Sequence, residues 1–142
     1  MKIKQIQEDL VDEFAMFEDW MQRYEYMIDL GKSLPLIDSK YKTEDYLIKG
    51  CQSKVWVQAE LIDNKIIFKA DSDAIISKGI IAILIRVFSN QGPNEIIEAN
   101  TGFIDEIGLK EHLSPNRANG LSSMIKQLKL YALAYQTKIN NE

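Results

Sequence analysis

From Ile3 onward the apolar residues recur at steps of three and four: Ile6, Leu10, Phe14, Phe17, Met21, Tyr24, then Met27 or Ile28. That spacing lays one apolar stripe along a helix. The stripe is long enough to expect a break near Phe17 to Asp19, giving two consecutive helices, with Gly31 as the C-terminal stop of the second. An irregular connector starts at Leu34-Pro35 and runs to about Asp45. The pattern then changes. Tyr46 to Ile48 has strand character, and Val55 to Ile62 is rich in β-branched and aromatic residues. Asp63-Asn64-Lys65 reads as a hairpin turn into a third strand, Ile66 to Ala70. Gly50 and Cys51 fall between the first two strands, which puts the cysteine at a tip or turn that glycine bends cheaply.

Asp71-Ser72-Asp73 supplies oxygens and negative charge suited to capping a helix start. The following stretch, Ala74 to Ser89, is apolar nearly all round; its length favours a buried central helix over a strand. Asn90-Gln91-Gly92-Pro93 breaks it, and a short helix near Phe103 to Ile107 ends at Gly108. Ser114-Pro115 is an N-cap followed by a first-turn proline. Leu121, Met124, Ile125, Leu128, Tyr131, Ala132 and Tyr135 then trace the inner face of a long terminal helix. With no repeats and no linker, residues 1–142 read as a single domain of α+β class, with helices packed on a small antiparallel three-stranded sheet.

Charge narrows the possible partners. Seventeen basic residues against 21 acidic ones leave a net charge of −4, and no basic stripe forms, which argues against nucleic acid. The most apolar run, Ile80 to Ile85, is cut by Arg86 and is too short to span a bilayer. Residues 1–5 lead straight into charged amphipathic sequence without the apolar stretch of an export signal. A cytoplasmic location is therefore expected, where a lone thiol stays reduced.

Cys51 is the only cysteine, so it can form no intramolecular disulfide, no CxxC pair and no multi-thiolate metal site. Free cysteine is often just a small buried hydrophobe. Here its neighbours are Gly50, Gln52, Ser53 and Lys54, which suit a turn and not an apolar interior. An accessible thiol that acts must act on a partner molecule. His112 is the only histidine, and one histidine makes no metal site; a structural hydrogen-bonding role is favoured over a general base. Arg117, in the first turn after Pro115, is either a solvated surface arginine or an anion or partner contact. Asp71 and Asp73 look like paired carboxylates but serve as caps, with Asp73 close to the cysteine loop.

The segment Gly50-Cys51-Gln52-Ser53-Lys54-Val55-Trp56 resembles the cysteine motif of the SufE and CsdE sulfur-acceptor proteins. Three more segments agree in order and spacing. They are Asp71-Ser72-Asp73-Ala74 with Lys78 to Ala82, His112 to Arg117 with Gly120-Leu121, and, more weakly, Tyr26 to Gly31 before Leu34-Pro35. The resemblance implies a small curved sheet flanked by helices, similar to the IscU scaffold. It implies that Cys51 accepts persulfide sulfur from a pyridoxal-phosphate cysteine desulfurase of SufS or CsdA type. The sulfur would then pass to an iron–sulfur scaffold complex of SufBCD type. The cofactor belongs to the desulfurase, and this chain would have no cofactor, no metal and no turnover of its own. Gly50, Gln52, Ser53, Asp73, His112 and Arg117 are the implied supporting or partner-binding residues, and the sulfur is expected to lean into an apolar hollow beside the sheet. Two other readings of Cys51 stay open: a redox sensor working through sulfenylation, and an interaction domain with an incidental thiol.

Overall fold

The computed structural model describes all 142 residues. The N-terminal stripe forms two helices, α1 (Ile3–Ala15) and α2 (Trp20–Lys32), broken where expected. The Asp19 carboxylate caps α2, accepting from the Gln22 N–H at 2.8 Å. Gly31 does not stop this helix, which continues to Lys32. Gly31 instead lies against Gly79 of α3 (Ile75–Phe88): a Cβ on Gly31 would sit 3.1 Å from the Gly79 nitrogen. A Cβ on Gly79 would stand 2.6 Å from the Met27 carbonyl oxygen. Two helices thus meet backbone to backbone, which only glycine permits at such range.

Two strands, β1 (Val55–Ile62) and β2 (Lys65–Ser72), pair antiparallel from Val55↔Ser72 to Ile62↔Lys65. Asp63 (φ 52°) and Asn64 (φ 63°) form the two-residue turn, both in the left-handed region that matches the twist of a hairpin. The sheet has two strands, not the expected three. Glu44–Tyr46 is a turn of 3₁₀ helix, Leu47 makes only an isolated bridge to Trp56, and the Ile48 N–H donates to the Val55 carbonyl at 2.8 Å. The chain turns away at Gly50 before a ladder can grow. The outer edge of β2 is covered in the same sparing way, by a bridge between Leu36 and Ala70.

The acidic run before α3 does not cap it. β2 extends to Ser72, and Ala74, at the helix start, is extended with no side-chain cap. Asp71 is instead a buried strand residue whose carboxylate lies 2.6 Å from Lys42 Nζ and 3.3 Å from Lys78 Nζ. Burial pushes this carboxyl up, but Lys42, the Ser72 N–H and Lys78 outweigh it and hold it below the usual carboxylate range.

Ten of the 14 residues of α3 are buried, which makes it the axis of the core. α2 and β2 pack on it, and α1 is tied to it through Glu13, which takes Arg86 of α3 and the Tyr26 hydroxyl of α2. Two short helices go beyond the pattern read from the sequence, α4 (Pro93–Glu98) and, after α5 (Phe103–Ile107), α6 (Leu109–His112). The long α7 (Pro115–Asn140) closes the core with Leu121, Met124, Leu128 and Ala132. Tyr131 and Tyr135 donate to the Val57 and Ala59 carbonyls of β1, at 3.3 and 3.0 Å, and so fasten α7 to the hairpin.

The glycine contact carries a prediction. Gly79→Ala gains about 1 kcal/mol of helix propensity, yet the new methyl must displace a backbone carbonyl. A net loss of about 2 kcal/mol is expected in urea denaturation, whereas an unchanged midpoint would mean that the two helices slide apart without cost.

Candidate functional site

The loop from Lys49 to Lys54 is clamped at its base by main chain. Ile48 bonds to Val55 on one side. On the other, the Lys54 N–H donates to the Asp73 carboxylate at 2.9 Å, and the Lys54 carbonyl accepts from the Asp73 N–H and the Ser72 hydroxyl. Asp73 therefore holds the cysteine loop's end and is itself exposed. Within the loop Gly50 adopts φ +93°, and a Cβ there would collide with Ser123 Oγ of α7. Backbone freedom and lack of bulk are both required at this one position.

The tip lies on α7. Cys51 is half-buried, and its Sγ stands 3.6 Å from the Gly120 carbonyl oxygen, to which the thiol donates a weak hydrogen bond. Gly120 leaves the sulfur room: a Cβ there would touch Sγ at 3.5 Å. Below the loop, between α3 and α7, is a cavity of about 200 Å³. Ile80 and Met124 give it an apolar wall; Ser53, Ser77, Asn116 and Arg117 give it a polar one. The hollow is thus mixed in character and not the apolar one expected, because the first turns of two helices open onto it. The Ser53 and Ser77 hydroxyls pair at 2.5 Å.

Of the residues singled out in the sequence, Cys51, Gln52, Ser53 and Arg117 line this cavity, with Gln52 exposed and Arg117 partly so. Gly50 and Asp73 shape the loop from outside it. His112 lies elsewhere: its ring stacks on Trp20 at 4.2 Å and 16°, with no hydrogen bond, so it acts by packing. Ser77 escapes a reading of the sequence because a serine inside an apolar run looks like helix filler; Asn116 and Gly120 stand within a matching motif but carry no predicted role. No cluster of three His, Cys, Asp or Glu side chains forms a metal cradle. A larger depression, about 880 Å³, lies between α1 and the α4–α5 connection and contains neither the cysteine nor the histidine, so size does not mark the site.

Partial burial pushes the Cys51 thiol above its ordinary pKa, because a thiolate in the hollow loses hydration. The resting sulfur is accordingly a protonated, weakly nucleophilic thiol.

A family model described as SufE, Fe-S metabolism associated domain, matches residues 8–132. The chain belongs to the SufE family. It is 38% identical over 127 residues to an uncharacterized SufE-like protein of Rhizobium meliloti, covering 86% of this chain and 91% of that one. An uncharacterized SufE-like protein of Synechocystis is 35% identical over 127 residues, with 89% and 80% covered. SufE-like protein 1 of Arabidopsis thaliana, described as chloroplastic/mitochondrial, is 33% identical over 132 residues; the match spans 92% of this chain but 36% of the plant protein. In fold the chain is similar to a hypothetical protein of Thermus thermophilus solved in solution, with a TM-score of 0.77 at 19% identity and 93% and 96% coverage. Membership places this SufE-family chain in iron–sulfur metabolism, and none of its helices is long and apolar enough to cross a membrane.

The raised thiol pKa gives a direct expectation. Alkylation of Cys51 by iodoacetamide in the folded protein should rise through a midpoint above that of free cysteine. In denaturant the midpoint should return to the ordinary thiol value. Identical profiles in both states would contradict burial of the sulfur.

Proposed function

We propose that this SufE-family protein accepts sulfur on Cys51 from the persulfide of a pyridoxal-phosphate cysteine desulfurase and delivers it to an iron–sulfur scaffold complex. The observation that carries the reading is the single thiol at the tip of a base-clamped loop, resting on Gly120 over a cavity. The acceptor thiolate attacks the outer sulfur of the donor's persulfide; the donor's S–S bond breaks and its inner sulfur leaves as a thiolate. One cysteine suffices, because donor and recipient each bring the other sulfur. The pyridoxal phosphate stays with the donor, and the acceptor turns nothing over alone.

The rim of the hollow supports docking on another protein. Gln52 and Asn116 of its lining are exposed and Arg117 is partly so, and Ile75, next in the chain to the lining residue Ala74, is 65% exposed. Exposed polar groups together with an exposed apolar side chain suit the rim and core of an interface. A redox sensor, by contrast, calls for a low-pKa, freely accessible thiol, which burial of Cys51 opposes.

The test is the mass of the protein after incubation with desulfurase, pyridoxal phosphate and cysteine. Whole sulfur atoms should appear on Cys51 and be removed by dithiothreitol. Cys51→Ser should abolish the addition while leaving the melting temperature nearly unchanged, since a turn position has little buried area to lose. Oxygen additions from peroxide, without sulfur from the desulfurase, would favour the sensor instead.

Arg117 yields a separate expectation. Its N–H is capped by Ser114 at 3.3 Å and its side chain lines the hollow, so truncation leaves the backbone of α7 intact. Arg117→Ala should reduce sulfur transfer about tenfold while costing less than about 1 kcal/mol of stability. Unchanged transfer across acceptor concentrations would make Arg117 an ordinary surface residue.

A further inference from the structure

The cysteine hollow contains a feature that acceptance of sulfur alone does not require. Ser77 of α3 is 6% exposed, and its hydroxyl faces that of Ser53 on the loop at 2.5 Å, both in the wall of the cavity that Cys51 lines. Two hydroxyls that bond to one another use one proton and leave a second. Both serines line the cavity, so an acceptor placed there lies on the side to which that second proton can turn. No side chain caps α3, and Ala74 and Ser77 of its first turn line the same space. The cavity, about 200 Å³, exceeds several-fold the roughly 30 Å³ that a water molecule occupies, so one further sulfur atom fits without displacing a helix.

We propose that the Ser53–Ser77 hydroxyl pair positions the outer sulfur of a Cys51 persulfide in this cavity, one hydroxyl donating to that sulfur as an anion while it accepts from the other. The inference rests on Cys51 as the sulfur acceptor and names where the cargo is stored. In the transfer, the Cys51 thiol and a donor persulfide become a Cys51 persulfide and a donor thiol. A new S–S bond forms at Cys51, the donor's S–S bond breaks with its electron pair on the donor sulfur, and the Cys51 proton ends on that sulfur. No external oxidant enters. The outer sulfur then lies about 2.0 Å beyond Sγ. An S–SH group gives up its proton more readily than a thiol, and hydroxyl donors favour the resulting anion. Arg117 of α7 is the charged residue lining the cavity; Lys54 and Asp73, the nearest charges on the loop and before α3, are exposed, and the Asp73 carboxylate is occupied by the Lys54 N–H. The pair therefore contributes one neutral hydrogen bond beside one cation, which holds the anion without anchoring it irreversibly.

The experiment loads Cys51 chemically with glutathione persulfide, with no desulfurase present, removes the excess and alkylates with iodoacetamide across a pH series. Mass spectrometry separates alkylation of the outer sulfur, which dithiothreitol cleaves from the protein, from alkylation of the bare thiol, which it does not. Ser77→Ala should move the persulfide midpoint upward by about one pH unit, Ser53→Ala should move it in the same direction, and Ser77→Thr should restore it. The midpoint of the unloaded thiol should stay in place in all three. Should Ser77→Ala fail to fold, Ser53→Ala, on the loop, decides alone. Unshifted persulfide midpoints, an equal shift of the bare thiol, or a Cys51 that takes no chemical sulfur would each overturn the storage site. Because loading bypasses the desulfurase, a protein that stores chemical sulfur but takes none from the enzyme would refute the proposed donor and leave this site standing.

Discussion

The fold turns on the contact between Gly31 of α2 and Gly79 of α3, where two helices touch through their backbones. This close approach lets α3 run through the centre with ten of its residues buried, and it fixes where the first turn of that helix emerges. That turn, with Ala74 and Ser77, forms one wall of the cysteine hollow. The opposite wall is the start of α7, held to the hairpin by Tyr131 and Tyr135. The loop carrying Cys51 spans the two. Core packing thus reaches the candidate site through rigid elements, as a preorganised site requires.

The site itself combines a fixed base with a light tip. Asp73, Ser72 and Ile48 secure both ends of the loop by hydrogen bonds to main-chain groups. Between its ends the loop is held by the weak contact of Sγ with the Gly120 carbonyl, the packing of Gly50 on Ser123 and the Ser53–Ser77 hydroxyl bond. A segment with few apolar contacts opens at low cost, so the tip can swing while the frame stays. Gly50, already at φ +93°, is the natural hinge. Burial and the raised thiol pKa disfavour attack by small thiols and oxidants; under the proposed function, a partner that favours the open loop activates the thiol by restoring its hydration.

Much of this is legible in the sequence, and the misreadings have physical causes. Periodicity locates α1, α2, the hairpin, α3 and α7, because each buries one regular face or is long and apolar. The turn setting of Cys51 follows from its polar neighbours. Tyr46 to Ile48 misleads because propensity scores residues and not partners: Ile48 pairs with Val55, but Gly50 turns the chain before a strand forms. Asp71 reads as a cap because strand and cap aspartates look alike until Lys42 and Lys78 are seen to converge on it. Gly31 reads as a helix stop, whereas its missing side chain serves a crossing that only the tertiary structure reveals. Pro93, a breaker in the sequence pattern, also opens α4 at its first position. Ser77 becomes informative only when the fold sets its hydroxyl opposite Ser53.

The central claim is that the thiol rests closed on α7 and is opened by its partner. The most direct measurement is the rate at which iodoacetamide alkylates Cys51 at neutral pH, with and without a desulfurase variant that lacks its own active cysteine. The account predicts slow alkylation of the protein alone and a clear acceleration by the variant, with no sulfur transferred. Alkylation of the isolated protein as fast as that of free cysteine, or no response to the desulfurase, would contradict it.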